Sequence, residues 1–320
     1  MNIAATRDRP LRAGTRGSPL ALVQTRGFIR QLAAACPDLA GPNRLVEHVI
    51  ATTGDAVQDR PLAEIGGKGL FAKEIHEALL DGRIDFAVHS LKDLETELPP
   101  GIVLGCVLRR EDPRDALILG PALDGAADDP LAALPPGALV GTSSVRRQAQ
   151  LLRRRPDLRI TVMRGNVETR LRKLAEGVCQ ASLLAMAGLN RLGMAVSQAR
   201  PLPPALMLPA VAQGIVGITV RAGDADLRAR LVLIEDANSR VAADAERAML
   251  ARLDGSCRTP LAGYADLLPE GTVRMTGLVA RVDGSFLLRR TETGPRSDAV
   301  RLGMALGDRL RAESPADLFA

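Results

Sequence analysis

The sequence has no tryptophan, one tyrosine and five phenylalanines, so aromatic residues make up only 2% of its 320 positions. Its cores must therefore be aliphatic, and the stacked rings on which proteins hold single-stranded nucleic acid are almost excluded. Lysine is nearly as scarce, at positions 68, 73, 92 and 173 only, which leaves most of the positive charge to arginine. Four scattered cysteines, Cys36, Cys106, Cys179 and Cys257, form no C-x-x-C pair and argue against a disulfide framework or a zinc site. Long apolar runs are missing as well: a stretch such as Ala181 to Leu189 is far short of the roughly 20 residues that cross a bilayer. The opening MNIAATRDRPLRAG lacks the apolar core of a secretory signal, which gives the expectation of a cytoplasmic chain in a reducing compartment.

What is present is a globular balance, 46% hydrophobic and 25% charged, in a chain long enough for two or three domains. The net charge is +5 and the pI about 9.4. So much arginine reads either as a GC-rich genome or as recognition of carboxylates or phosphates by planar, bidentate guanidinium groups. Composition does not choose between these readings; position does.

From Pro10 to Val107 short apolar runs alternate with amphipathic stretches, the texture of βα units on a mostly parallel sheet. A strand-like LRAG enters the turn GTRGSP, where Ser18 suits an N-cap and Pro19 the first position of a helix over Leu20 to Ala34. LFAKEIHEALLDG has helical spacing and ends at Gly82, and the strand IDFAVHS follows. After a loop-like stretch from Leu119 to Gly137 the pattern repeats. ALVGTSS runs into VRRQAQLLRRR, RITVMRGN into VETRLRKLAEG, and VCQASLLAMAGL reads as a buried strand and turn. AVAQGIVGITV then suggests a strand returning to the first lobe. Beyond Asn238, a helix from Val241 to Leu253, the loop DGSCRTP, three strand-like runs and a helix from Ala299 to Arg311 form a plausible small α+β domain.

The turns GTRGSP and GTSSVRR share a plan of strand, Gly-Thr, Ser and helix, which suggests two lobes of similar build. Each places hydroxyls and unpaired amides at a helix N-terminus, where the dipole favours an anion. Arg16 and the pair Arg146 and Arg147 sit on these turns, and Arg164 and Arg170 flank a third, MRGNVETR. Cations at a helix start oppose the dipole, so a bound anion explains them better than solvated surface does. Together they predict a cleft for several carboxylates. VHSLKDL brings Ser90, Lys92 and Asp93 to the C-terminal end of a strand, the edge where α/β sheets commonly bind ligands. Asp93 has two candidate roles: an ion pair with Lys92 or an arginine, or stabilisation of positive charge growing on a substrate nitrogen. GGKGLF supplies flexible backbone with Lys68 and Phe71 but lacks Walker spacing, which rejects nucleotide binding. Three cysteines sit in apolar contexts; Cys257, in a Gly-Ser-Cys-Arg loop, is the one placed for nucleophilic chemistry. His48, His76 and His89 show no ligand spacing and read as structural.

In order, GTRGSPLAL, TTGD, PLAEIGGKGLFAKEI, DFAVHSLKDL, REDPRDA, GTSSVRRQ, RRPDL, RGNVETRL, AGLNRLG, LPAVAQGIVGI, AERAMLARLDGSC and GY resemble the motifs of porphobilinogen deaminases, from about Gly14 to Tyr264. The resemblance implies an α/β fold of two type II periplasmic-binding-protein-like lobes and a smaller α+β C-terminal domain. The expected boundaries are 1–108 with 212–235, 109–211, and 236–320. It further implies a dipyrromethane primer in thioether linkage to Cys257, and Asp93 as the acid that stabilises cationic intermediates while four porphobilinogen molecules are joined with loss of ammonia. Arg16, Ser18, Lys92, Thr142, Ser144, Arg146, Arg147, Arg164, Arg170 and Gln213 match positions that bind acetate and propionate groups. Lys68 and Phe71 match a loop over the active site. No metal or nucleotide is implied, and the expected state is a monomer without nucleic-acid or membrane partners. The chain departs from the family pattern at Leu91, at Leu94 and Glu95, at Glu64, at Arg258, and at Ala212, where glycine is usual. The rival reading is a non-catalytic two-lobed anion-binding protein, which would need neither Asp93 nor Cys257. A nucleic-acid binder, suggested by the pI, is disfavoured by the lack of aromatics.

Overall fold

Strand β1 (Leu11–Thr15) buries Leu11 and Ala13 and delivers the chain to the Arg16-Gly17-Ser18 turn. Ser18 has extended backbone and its Oγ accepts from the amide of Ala21 at 3.3 Å, so it caps α1 (Pro19–Ala35), with Pro19 at the start. The chain is described here by a computed structural model covering residues 9–56, 69, 71–123, 129–253 and 259–319. It divides into two compact units. Among the described residues the first holds 9–56, Gly69–Arg110 and Ile215–Arg240, and the second holds Glu111–Gly214 and 241–319.

In the first unit a five-stranded sheet runs β2 (Leu45–Val49), β1, β3 (Phe86–Ser90), β10 (Val216–Arg221), β4 (Ile102–Val107). β1 is parallel to β2 and β3, whereas β10 is antiparallel to both β3 and β4. The late segment AVAQGIVGITV thus contributes a central strand to an early sheet. α1 packs Phe28 and Leu32 into the core, where Phe28 meets Phe86 edge-on at 4.9 Å between ring centroids. Such a pair adds about 0.5–1.5 kcal/mol beyond the area it buries. After the short α2 (Thr53–Ala56), α3 (Lys73–Leu80) seats Ile75, Ala78 and Leu79 against the sheet and stops before Gly82, whose φ of 71° few other residues adopt cheaply. The helix begins later than its apolar pattern suggests, because Phe71 and Ala72 form a turn. α7 (Ala225–Val232) buries Leu227 and Leu231 in the same core as Phe28.

The second unit contains a sheet of the same plan: β7 (Arg159–Thr161), β6 (Leu139–Gly141), β8 (Ala181–Ala185), β5 (Asp115–Leu119), β9 (Ala199–Leu202). β6 is parallel to β7 and β8, and β5 is antiparallel to β8 and β9. α4 (Val145–Arg154), α5 (Val167–Ala175) and α6 (Met186–Arg191) follow its parallel strands. The last replaces the turn read from AMAGL, since Ala187 and Leu189 find buried positions on a helix. The two Gly-Thr dipeptides are equivalent in register, Gly14 pairing with Ala87 and Gly141 with Ser182. A Cβ on Gly14 would run into the side chain of Ile84, and one on Gly141 would meet Met163 at 2.7 Å. At both positions a side chain would have to displace a neighbour, because β1 and β6 are closely packed where each turns toward its helix.

This unit also holds the smaller α+β part. β11 (Leu261–Leu268), β12 (Thr272–Ala280) and β13 (Leu287–Pro295) form an antiparallel sheet, packed by α9 (Ala299–Glu313) and preceded by α8 (Ala237–Leu253). Ala149 of α4 shares a core with Leu208, Ala262, Leu278 and Ala280.

Candidate active site

In the first unit the predicted residues gather at the C-terminal ends of β1 and β3. Arg16 extends from the β1 turn so that its guanidinium carbon lies 4.0 Å from the ring centroid of Phe71, a cation–π contact worth about 0.5–1 kcal/mol when exposed. β3 ends at Ser90, whose hydroxyl exchanges hydrogen bonds with the amide of Gln24 on α1 at 3.0 and 3.2 Å. The chain then makes one 3-10 turn, Leu91–Asp93, anchored by fully buried Leu91 and leaving Lys92 and Asp93 exposed. Among the described residues the Asp93 carboxylate has no ion pair and no side-chain hydrogen bond. The ion pair that is the commoner fate of such an acid is therefore not what holds it.

His89 lies on the strand leading to this turn, with Nε2 3.0 Å from Oγ1 of Thr219. Burial, with His76 and Arg16 nearby, pushes its pKa down to about 3, so it is neutral and structural at physiological pH. Cys36, Cys106 and Cys179 are buried thiols, and burial pushes Cys106 up to about 12.

In the second unit Thr142 is buried and its Oγ1 accepts from the amide of Ser144 at 3.2 Å. Ser144 caps α4, accepting from the amide of Arg147 at 3.4 Å. Arg146 and Arg147 are not solvated at the helix start; both are buried around Asp115, the first residue of β5. Arg147 donates to Oδ1 of Asp115 through Nε at 3.0 Å and Nη2 at 2.7 Å, and to the carbonyl of Leu183 at 2.9 Å. Arg146 donates through Nη1 to Oδ2 of Asp115 at 2.7 Å and to the carbonyl of Leu208 at 2.8 Å. Gln213 completes the group, its Nε2 donating to Oδ1 of Asp115 at 3.0 Å and to the carbonyl of Pro113 at 2.7 Å.

The electrostatics follow from a count of charges. Burial by itself raises the pKa of Asp115, but the two guanidiniums and their hydrogen bonds outweigh it and hold the carboxyl well below the usual range. Burial also lowers the Arg146 pKa, opposed by Asp115, though an arginine keeps its proton in a protein. Two cations share one anion, so the cluster keeps one positive charge in excess in a buried setting at a helix N-terminus. The anion expected at this turn is thus partly supplied by the chain itself, and what is left over still favours a further carboxylate.

Arg164 and Arg170 are half-buried around the third turn, where Nε of Arg170 donates to the carbonyl of Gly165 at 2.9 Å and Asn166 caps α5. Arg172 is exposed and pairs with Glu176, as a surface residue does. Cys257 and Lys68 fall outside the described residues. Among the described residues no three His, Cys, Asp or Glu side chains gather as a metal site, and no helix is long and apolar enough to cross a membrane.

The family model of "Porphobilinogen deaminase, dipyromethane cofactor binding domain" matches residues 11–229, and that of the porphobilinogen deaminase C-terminal domain matches 241–312. A porphobilinogen deaminase of Paracoccus denitrificans is 50% identical over 98% of this chain and 97% of its own length. The chain belongs to the porphobilinogen deaminase family. A chloroplastic porphobilinogen deaminase of Oryza sativa subsp. japonica is 47% identical over 97% of this chain and 85% of its own length. That of Sorangium cellulosum is 49% identical over 94% and 98%. Porphobilinogen deaminases are transferases, and the matched domain is the one that binds the dipyrromethane cofactor.

The residues present fit a group of that chemistry. In the second unit an excess guanidinium charge, with buried Thr142 and Ser144 at the helix cap, suits carboxylates; in the first, the Asp93 carboxylate, unpaired among the described residues, suits a pyrrole N–H. Asp115 is the member that sequence reasoning missed, although REDPRDA was among the family motifs. The signal was its place: an acid opening DALIL, a strand buried throughout, needs a cationic partner to be tolerated there.

Proposed function

We propose that the chain joins four porphobilinogen molecules head to tail, releasing ammonia at each addition, and then hydrolyses off the linear tetrapyrrole hydroxymethylbilane for porphyrin biosynthesis. The observation that carries the catalytic assignment is the exposed carboxylate of Asp93 just beyond β3, unpaired among the described residues. Cys257 would hold dipyrromethane in thioether linkage, and the group would supply the free pyrrole carbon at which the chain starts, each later ring joining the one added before it. Asp93 accepts the pyrrole N–H hydrogen bond and faces positive charge on the substrate nitrogen as ammonia departs. At about 4 Å and an effective dielectric near 20 the attraction is about 4 kcal/mol, sufficient for several hundredfold in rate. Arg146 and Arg147, braced by Asp115 and Gln213, hold acetate and propionate groups; Arg16, Ser18, Lys92, Thr142, Ser144, Arg164 and Arg170 share that work. Lys68 and Phe71 cover the reacting rings, Phe71 with support from its contact with Arg16.

The reading includes a discontinuous first domain of 1–108 with 212–235, a second of 109–211 and a C-terminal domain of 236–320. It is that of a monomeric cytoplasmic enzyme without a nucleic-acid partner. The test supplies porphobilinogen alone and follows ammonia and product together. Four ammonia molecules per linear tetrapyrrole are expected; binding of porphobilinogen without ammonia release would favour the non-catalytic anion-binding protein instead.

A further inference from the structure

Glu246 lies at the middle of α8, fully buried, and takes no part in the chemistry described above. Its Oε2 accepts from the backbone amide of Ala212 at 2.5 Å and its Oε1 from that of Ala265, on β11, at 2.8 Å. Burying a carboxylate is costly, and a carboxylate bonded to backbone amides is retained where those bonds fix a conformation. The conformation here is unusual. Ala212 has φ of 58°, a left-handed geometry that costs a residue with a Cβ about 1–2 kcal/mol. The next residue is Gln213, whose amide is held on Asp115 and Pro113, and the carbonyl of Gly214 is held by Nη2 of Arg191 at 2.7 Å. The strained turn thus sets where the Gln213 side chain begins, and the Glu246 carboxylate grips the turn at its strained residue.

We propose that Glu246 is a positioning residue: by clamping the Ala212 amide it keeps Gln213 on the Asp115, Arg146 and Arg147 cluster, and it ties α8, four residues short of Cys257 at its Leu253 end, to that cluster. The inference rests on the reading of the cluster as the carboxylate-binding site. A carboxylate suits the two amides, one accepted by each oxygen; glutamine, of nearly the same volume, would set its NH2 against one of those N–H donors.

The test is a kinetic cycle on the holoenzyme with porphobilinogen, comparing Glu246→Gln, Gln213→Ala and the double variant. Each single variant is expected to lose about tenfold in kcat/KM, and the double variant to fall no more than about threefold below the worse single, because coupled residues are not additive. Ala212→Gly is expected to restore about threefold to Glu246→Gln, more than it adds to the unsubstituted enzyme. Losses that multiply, or a normal Glu246→Gln beside an impaired Gln213→Ala, would overturn the inference alone. A normal Gln213→Ala enzyme would overturn the carboxylate-site reading and the inference with it. Should Glu246→Gln fail to fold, amide exchange in the unsubstituted holoenzyme decides: the Ala212 and Ala265 amides are expected to be protected together, and open-turn exchange at Ala212 would overturn the clamp.

Discussion

Arg147 holds Asp115 by two donors on a single oxygen, Nε at 3.0 Å and Nη2 at 2.7 Å, with both side chains almost wholly out of water. Since Arg146 takes the other oxygen, the carboxylate orients two neighbouring guanidiniums while cancelling only one of their charges. Removing a partner from a buried pair costs about 3–5 kcal/mol, so Asp115→Asn should be strongly destabilised at neutral pH. The depressed pKa of Asp115 gives the sign of the pH dependence. Its contribution is complete above the ordinary carboxylate value near pH 4 and is lost as pH falls through the lower folded-state value. Urea midpoints of the unsubstituted protein and of Asp115→Asn should therefore draw together progressively as pH falls below the ordinary carboxylate value near 4. Parallel curves would mean that Asp115 is not ionised in the fold.

Asp93 is exposed and has no partner among the described residues, so replacing it should disturb the fold little. Asp93→Asn is expected to keep its melting temperature and its primer while losing about a hundredfold in turnover, about 2.7 kcal/mol. Turnover within a few fold of normal would reassign the residue to a non-catalytic role.

Ala212 stands in a left-handed conformation, which glycine adopts without the penalty of a Cβ. Ala212→Gly should remove the strain and stabilise the protein by about 1 kcal/mol. A rise of about 2–4 °C in melting temperature is the corresponding observation. An unchanged or lower melting temperature would show that the turn carries no strain.

The parts of this fold that local chemistry dictates were legible in the sequence. Ser18 and Pro19 fixed the start of α1, and the repeated Gly-Thr and Ser turns foretold two sheets of one plan. What was not legible depends on partners distant along the chain. Any of the three acids in REDPRDA could have paired with an arginine; Asp112 takes Arg114 two residues away, whereas Asp115 takes Arg146 and Arg147 from another element. The burial of those arginines, read from sequence as cations open to a ligand, follows from that pairing. Glu246 was hidden for the same reason, since a helix that presents a carboxylate to backbone amides of two other segments leaves no periodic trace.

The buried thiols lead to a further expectation. Cys36, Cys106 and Cys179 all have pKa values raised by burial, so none should react readily in the folded enzyme. With Cys257 in thioether linkage, alkylation of the unfolded holoenzyme should label these three cysteines and leave the fourth unlabelled. Labelling of all four would leave no sulfur for the primer.

Intact-protein mass, measured on the active enzyme and on Cys257→Ser, bears most directly on the covalent primer. The active enzyme should be heavier than its sequence by one dipyrromethane, and Cys257→Ser should carry none and be inactive. A fully active protein at its unmodified sequence mass would contradict the proposed chemistry.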